Sequence, residues 1–328
     1  MTDYRSVKYK VPTLNLDGTT EASPVEGEMW YDGGKFYLGT SQTFTGVWSS
    51  GGNIGTARYS LAGAGTQSAG LSMGGTTGSV SNVTEEYDGA SWSAGGNLGT
   101  ARMGLAGAGT QSAGLCMGGN DGSASDVTEE YDGSAWSSGG NLAAARYAPA
   151  GAGTQSAGLC MGGWTGDYSN VTEEYDGSAW ASGGNLATAR SNPAGAGTQS
   201  AAICMGGAVT PSSTPSDVTE EYDGTSWSSG GNLGTARYDL AGCGTQSAGL
   251  CMGGTRSGAY SNVTEEYDGS AWSAGGNLAT ARFSLAGAGI QTAGLCMGGR
   301  TGSVSAVTEE YDAGTGSYDE LFTASQGL

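Results

Sequence analysis

Met73-Gly74-Gly75, then Val83-Thr84-Glu85-Glu86-Tyr87-Asp88-Gly89, then Trp92: this order of segments, repeated along the chain, decides the fold. The Met-Gly-Gly triplet ends at Gly75, Gly119, Gly163, Gly207, Gly254 and Gly299, at intervals of 44, 44, 44, 47 and 45 residues. Val-Thr-Glu-Glu-Tyr-Asp ends at Asp88, Asp132, Asp176, Asp223, Asp268 and Asp312. Trp recurs at Trp48, Trp92, Trp136, Trp180, Trp227 and Trp272, and Ala-Arg recurs with Arg58, Arg102, Arg146, Arg190, Arg237 and Arg282. A period of this length marks a repeat architecture.

Turn chemistry divides each unit into four short strands. In the first unit these are expected at about 61–65, 68–73 and 83–87, with a fourth carrying Trp92. Asp88-Gly89 is a hairpin turn signal. No stretch holds a helical period over three turns. Four antiparallel strands in about 44 residues match a propeller blade. The side chains agree with that reading. Ala-Gly-Ala-Gly suits an innermost strand crowded at the axis, and Tyr and Trp suit the outer strands where the wedge widens.

The Gly-Gly doublet, the Glu-Glu-Tyr-Asp strand and the following Trp resemble the kelch repeat family, in the family's order. The Thr-Ala-Arg segment that leads into strand 1 is similar to the family's Pro-Arg-Ser. The resemblance covers about residues 45–312 and implies an all-β, six-bladed kelch-type β-propeller. It says little of function, because such propellers serve many.

The last unit has Tyr311-Asp312 but no Trp after it, whereas Val47-Trp48 has no Tyr-Asp before it. The two deficits are complementary. The N-terminal strand at Val47-Trp48 is expected to complete the last blade, since an open ring would leave two unpaired strand edges. Residues 1–44 then form an arm with a hairpin around Gly33-Gly34, and residues 313–328 a tail. The stretch Gly27-Glu28-Met29-Trp30-Tyr31-Asp32 with Lys35-Phe36-Tyr37 resembles leader segments of tailed-phage virion proteins. That resemblance implies an anchor that binds other virion proteins.

Composition narrows the function classes. The chain has 328 residues, 64 of them Gly, with a net charge of −19 and no His. The sign of the charge argues against nucleic acid, whose binding needs a basic footprint. The absence of His removes the commonest general base and metal ligand, so a non-enzymatic role is expected, with no cofactor. No apolar run approaches the length of a membrane span, and the N-terminus shows no secretory signal.

Several constellations invite chemistry. The twelve carboxylates from Glu85-Glu86 to Glu309-Glu310 suggest either calcium or structural pairing. Adjacent strand residues point to opposite faces, so one Glu of each pair is expected to meet the repeated Arg. That makes Arg58, Arg102, Arg146, Arg190, Arg237 and Arg282 a ring of structural ion pairs, with no metal. Cys116, Cys160, Cys204, Cys251 and Cys296 share one slot, read as a small core position. Cys243, eight residues before Cys251, is a candidate disulfide partner for it. Asn82, Asn170 and Asn262 begin glycosylation sequons, but Asp126 and Asp217 in the same slot indicate turn chemistry.

Compared with one another, the units differ in two places. One is the strand 2–3 loop, which carries Trp164, Tyr168, Arg256, Tyr260 and Arg300. The other is the residue after the repeated Arg: Tyr59, Met103, Tyr147, Ser191, Tyr238 and Phe283. Both connections emerge on one face of a blade. Their aromatic and Arg content matches binding hot spots, while relaxed constraint on exposed loops is the alternative. The expected role is a structural and recognition protein of a bacteriophage particle, a tail, fibre or capsid appendage made in the host cytoplasm. Its partners would be virion proteins and a host-surface glycan or protein. A general kelch interaction module, or a lectin with no virion role, is the alternative, and a homo-oligomer is compatible with either.

Overall fold

The computed structural model describes residues 14–15, 29–32, 35–40, 46–210, 213–313 and 318–322. Every regular element among them is a β-strand. Residues 46–313 form one unit, and the two ends of the chain form another.

The larger unit is a six-bladed β-propeller. Blade 1 pairs Ala62–Thr66, Ala69–Met73, Thr84–Tyr87 and Trp92–Ala94 in an antiparallel meander. Blades 2 to 5 repeat it from inner strands Ala106–Thr110, Ala150–Thr154, Ala194–Thr198 and Ala241–Thr245. Blade 6 pairs Ala286–Ile290, Ala293–Met297 and Thr308–Asp312 with Val47–Ser50. Trp48 there lies opposite Tyr311, as Trp92 lies opposite Tyr87. Each inner strand touches the inner strands of both neighbouring blades, and that of blade 6 touches that of blade 1.

The expected strand bounds move by a residue or so, for a local reason. The hydroxyl of Thr66 accepts from the amide of Ala69 at 3.0 Å. That bond makes Gln67 and Ser68 the turn, so the first strand runs on to Thr66 and the second begins at Ala69. The inner strands are small for a steric reason. A Cβ on Gly63 would stand 2.6 Å from the carbonyl oxygen of Gly287 in blade 6. Only Gly lets the two backbones approach so closely.

The core is six equivalent seams between blades. One seam joins Ala62, Ala64, Leu71 and Met73 of blade 1 to Leu105, Cys116 and Tyr131 of blade 2, with Leu98 of the connecting passage and Trp136 at the rim. The closing seam has the same build, with Ile54 where the other passages carry Leu. Polar side chains lace each seam. Tyr131 donates its hydroxyl to Glu86, and Trp136 donates its indole N–H to Thr84 at 2.9 Å. Gln111 donates to the carbonyls of Gly70 and Tyr87 at 3.0 and 2.7 Å. At the closing seam Tyr87, Trp92 and Gln67 make the same bonds to Glu310, Thr308, Gly294 and Tyr311. The Gln slot reads as plain turn in the sequence; its reach into the neighbouring blade is visible only in three dimensions.

All six cysteines are free and buried, and no disulfide joins Cys243 to Cys251. Antiparallel register places Cys243 opposite Leu250 and Cys251 opposite Gly242. Cys251 therefore points to the other face of the sheet from Cys243, and proximity in sequence does not become bonding geometry. Burial pushes the Cys116 and Cys160 thiols up, to about 11 and about 12.

In the smaller unit, Leu14–Asn15 runs parallel to Met29–Asp32, which pairs antiparallel with Lys35–Thr40. The turn residues 33–34 of that hairpin lie outside the described residues. Tyr318–Phe322, from the stretch read as a tail, pairs antiparallel with Lys35–Thr40. The arm and the end of the chain thus share one sheet.

Candidate functional site

The loop face is organised by the repeated Arg. Arg58 is fully buried, and its guanidinium donates to the carbonyls of Gly74 and Val83 at 2.7 and 2.6 Å. Those carbonyls flank the strand 2–3 loop of its own blade. Arg58 also pairs with Glu85 at 2.8 Å. Desolvation by burial lowers the Arg58 pKa, and the Glu85 charge acts against it. The same pairing joins Arg102 to Glu129, Arg146 to Glu173, Arg190 to Glu220, Arg237 to Glu265 and Arg282 to Glu309. In every pair the partner is the first Glu. The second Glu accepts the Tyr hydroxyl of the next blade, as Glu86 does from Tyr131. Both carboxylates of each Glu-Glu pair are therefore engaged by protein donors, on opposite faces of one strand. No group of three or more Asp, Glu, Cys or His able to hold a metal occurs among the described residues. The sequon residues Asn82, Asn170 and Asn262 donate their amides to Leu98, Leu186 and Leu278 carbonyls, which gives them a structural role in the turn.

Beyond the Arg, the passage into strand 1 and the strand 2–3 loop of the same blade bond reciprocally. Tyr59 and Thr76 exchange backbone bonds of 3.1 and 2.9 Å, and Tyr147 and Trp164 bonds of 3.1 and 2.8 Å. The two variable segments therefore lie side by side. Tyr147, Trp164 and Tyr168 form one aromatic cluster, with centroids 6.5 Å apart for the first pair and 5.0 Å for the second. The Tyr168 hydroxyl reaches Ser213 of the next blade at 2.7 Å. Tyr260 lies against Phe283 of the following blade at 4.6 Å. Arg300 of blade 6 lies 5.5 Å over the ring of Tyr59 in blade 1, at cation–π distance. Met103 lines a pocket on the axis, whereas Arg256 lies exposed in the hairpin of Thr255–Arg256 with Ala259–Tyr260. Burial, with the Asp239 charge as a smaller cause, raises the pKa of Tyr238.

One residue further along is a feature that the comparison of the units passed over. Ser60, Gly104, Ala148, Asn192, Asp239 and Ser284 all adopt left-handed backbone, with φ of 52, 58, 53, 55, 54 and 51°. Each amide donates to the carbonyl of the equivalent residue in the preceding blade. Gly104 donates to Ser60, Ala148 to Gly104, Asn192 to Ala148, Asp239 to Asn192, Ser284 to Asp239 and Ser60 to Ser284, at 2.7 to 3.1 Å. Six backbone hydrogen bonds thus close a ring around the axis. The left-handed conformation is costly for a non-Gly residue, roughly 1–2 kcal/mol, and the ring bonds offset that cost. The signal in the sequence was present. This slot holds Ser, Gly, Ala, Asn, Asp and Ser, next to the aromatic slot that draws the eye.

Above this ring lies a cavity of about 340 Å³. Its wall includes Met103, Leu105, Tyr147, Pro149 and Pro193 with the ring residues themselves. Asn192, Asp239 and Ser284, from three successive blades, form a bonded polar group in that wall. The Asp239 carboxylate accepts hydrogen bonds from the Asn192 amide and the Ser284 hydroxyl. Desolvation nevertheless raises the Asp239 pKa, the two hydrogen bonds acting against it.

No known protein-family model matches the chain, and no curated protein matches it either. Among the described residues no helix is long and apolar enough to cross a membrane.

Proposed function

We propose that this chain is a non-enzymatic recognition protein of a bacteriophage particle, a kelch-type propeller that presents its loop face to another virion protein or to a protein or glycan of the host surface. One observation carries the reading. The seam residues are the same in nearly every blade, and the differences gather where the strand 2–3 loops, the aromatic slot and the axial ring share one face. Exposed loops left to drift would collect Ser, Gly and Asn. These have collected Trp164, Tyr168, Tyr260 and Arg300, residue types that dominate binding energy at interfaces. Propellers serve many ends, so the particle assignment rests on the phage-like stretch 27–37 and not on the fold.

Mass spectrometry of purified particles of the encoding phage tests the location: the chain is expected among the virion proteins, and its absence overturns the reading. Binding of the labelled protein to host cells tests the face. Replacing Trp164 and Tyr260 together by Ser is expected to reduce it at least tenfold with the melting temperature little changed. Undiminished binding would remove the loop face from the account.

A further inference from the structure

We infer that the axial pocket receives the cationic side chain of a partner protein, a lysine ammonium or arginine guanidinium, with Asp239 as its counter-ion. The inference rests on the recognition reading of the loop face and adds the chemistry of the partner.

The carboxylate at Asp239 is the point of departure. The buried carboxylates of the blades are the first Glu of each pair, each matched with an Arg, whereas Asp239 is half-buried in the pocket wall. Among the described residues no Arg or Lys pairs with Asp239. Its two hydrogen bonds, from Asn192 and Ser284, orient it without neutralising it. A half-buried carboxylate without a counter-charge has lost part of its hydration, and a cation arriving in the pocket offsets that loss. Asp239 is also the one acidic or basic side chain in the pocket wall.

The rest of the wall suits the stem of such a side chain. Three blades around the ring from Asp239, and so across the axis from it, stands Gly104, the residue of the ring with no side chain. A long side chain entering over Gly104 passes the apolar Met103 and Leu105 before its charged end meets Asp239. Lys and Arg lay their methylene stems along apolar surface in this manner. The net charge of −19 draws a basic partner towards the propeller from a distance. A saccharide matches less well, because its hydroxyls do not neutralise the carboxylate. A hard divalent cation finds one carboxylate where such ions gather six or more oxygens.

The test is an NMR titration of the full-length protein with three small probes: N-acetyl-lysine methylamide, N-acetyl-arginine methylamide and the neutral N-acetyl-norleucine methylamide. Calcium chloride and galactose are titrated in parallel. The two cationic probes are expected to saturate and to shift the signals of Asn192, Ser284 and Gly104, with affinity falling as salt rises. Asp239→Asn is expected to weaken them at least tenfold, and Met103→Trp, which narrows the pocket and leaves the carboxylate in place, to weaken them as well. Asp121→Asn removes the same charge from an exposed loop position and is expected to change nothing. Melting temperatures verify that each variant is folded. The inference is overturned if norleucine binds as well as lysine, if both pocket variants bind like the wild type, or if calcium or galactose binds there and the cationic probes do not. Failure of all the probes would refute the pocket and leave recognition by the loop face to be judged by the particle and cell-binding experiments.

Discussion

Two rings lie two residues apart in every blade, and they obey opposite rules. In the first, the residue is Arg six times over, from Arg58 to Arg282. In the second it is Ser60, Gly104, Ala148, Asn192, Asp239 and Ser284. The difference lies in which atoms hold the structure. The Arg ring is held by side chains: each guanidinium is spent on two carbonyls and a buried carboxylate, as Arg58 is on Gly74, Val83 and Glu85. Any other residue would leave those acceptors unpaired inside the protein. The axial ring is held by backbone, through the amide-to-carbonyl bonds that pass from blade to blade. Its side chains are not needed to close the ring, so they can differ, and a pocket can be built from the differences.

High pH separates side-chain from backbone bonding most widely, because it acts on all six seams together. Burial first, and then the hydrogen bond each donates to a Glu of the preceding blade, push the phenols of Tyr87, Tyr131, Tyr175, Tyr222 and Tyr267 up to about 12, and Tyr311 in the same direction. A group whose pKa is raised on folding stabilises the fold below its unfolded value and ceases to do so as pH rises through the folded value. The melting temperature is therefore expected to hold between pH 8 and 10 and to fall steeply from about pH 10 to 12. A flat profile to pH 12 would mean that the seams do not depend on these bonds.

Arg146→Ala tests a single member of the side-chain ring. It strips donors from the Gly162 and Val171 carbonyls and leaves Glu173 buried without its counter-charge. The expected loss is about 3–5 kcal/mol in urea denaturation. A loss below about 1 kcal/mol would show that water takes over the role of the Arg.

Two Gly-to-Ala changes then divide steric from conformational demand. In the inner strand, a Cβ on Gly151 would stand 2.6 Å from the Gly107 carbonyl oxygen and 3.2 Å from the Ala106 Cβ. Gly151→Ala forces two blades apart and is expected to cost about 1–3 kcal/mol. In the axial ring, the nearest atom to a Cβ on Gly104 is the Ala148 nitrogen at 3.6 Å, an ordinary contact. Gly104→Ala thus meets only the left-handed backbone and is expected to cost about 1 kcal/mol, while Ala148→Gly should gain a similar amount. Equal costs at Gly151 and Gly104 would erase the distinction between the packed strand and the open ring.

The propeller could be read from the sequence because its seams are repeated side-chain contacts. A Trp, a Tyr, two Glu and an Arg that must each meet the same partner six times leave a period in the chain, and that period gave the four strands and six blades. The pairing of each Arg with the first Glu was half legible: strand alternation says that only one Glu faces it, but not which. The Gln67 slot looked like turn because its partners, Gly294 and Tyr311, lie at the other end of the chain. Cys243 looked like a partner for Cys251 because eight residues are few, until the register set them on opposite faces of a sheet.

By itself, then, the sequence determined what local repetition can encode: strand number, turn positions to within a residue or so, the small residues at the axis and the identity of the variable segments. Only the tertiary structure decided where those segments meet. The ring of left-handed residues is closed by bonds between blades, and no blade alone contains a donor and its acceptor. Asp239 and Gly104 are ordinary variations at one slot when read along the chain. They face each other across a pocket because six blades close into a circle, and closure is a property of the whole ring and of no single unit.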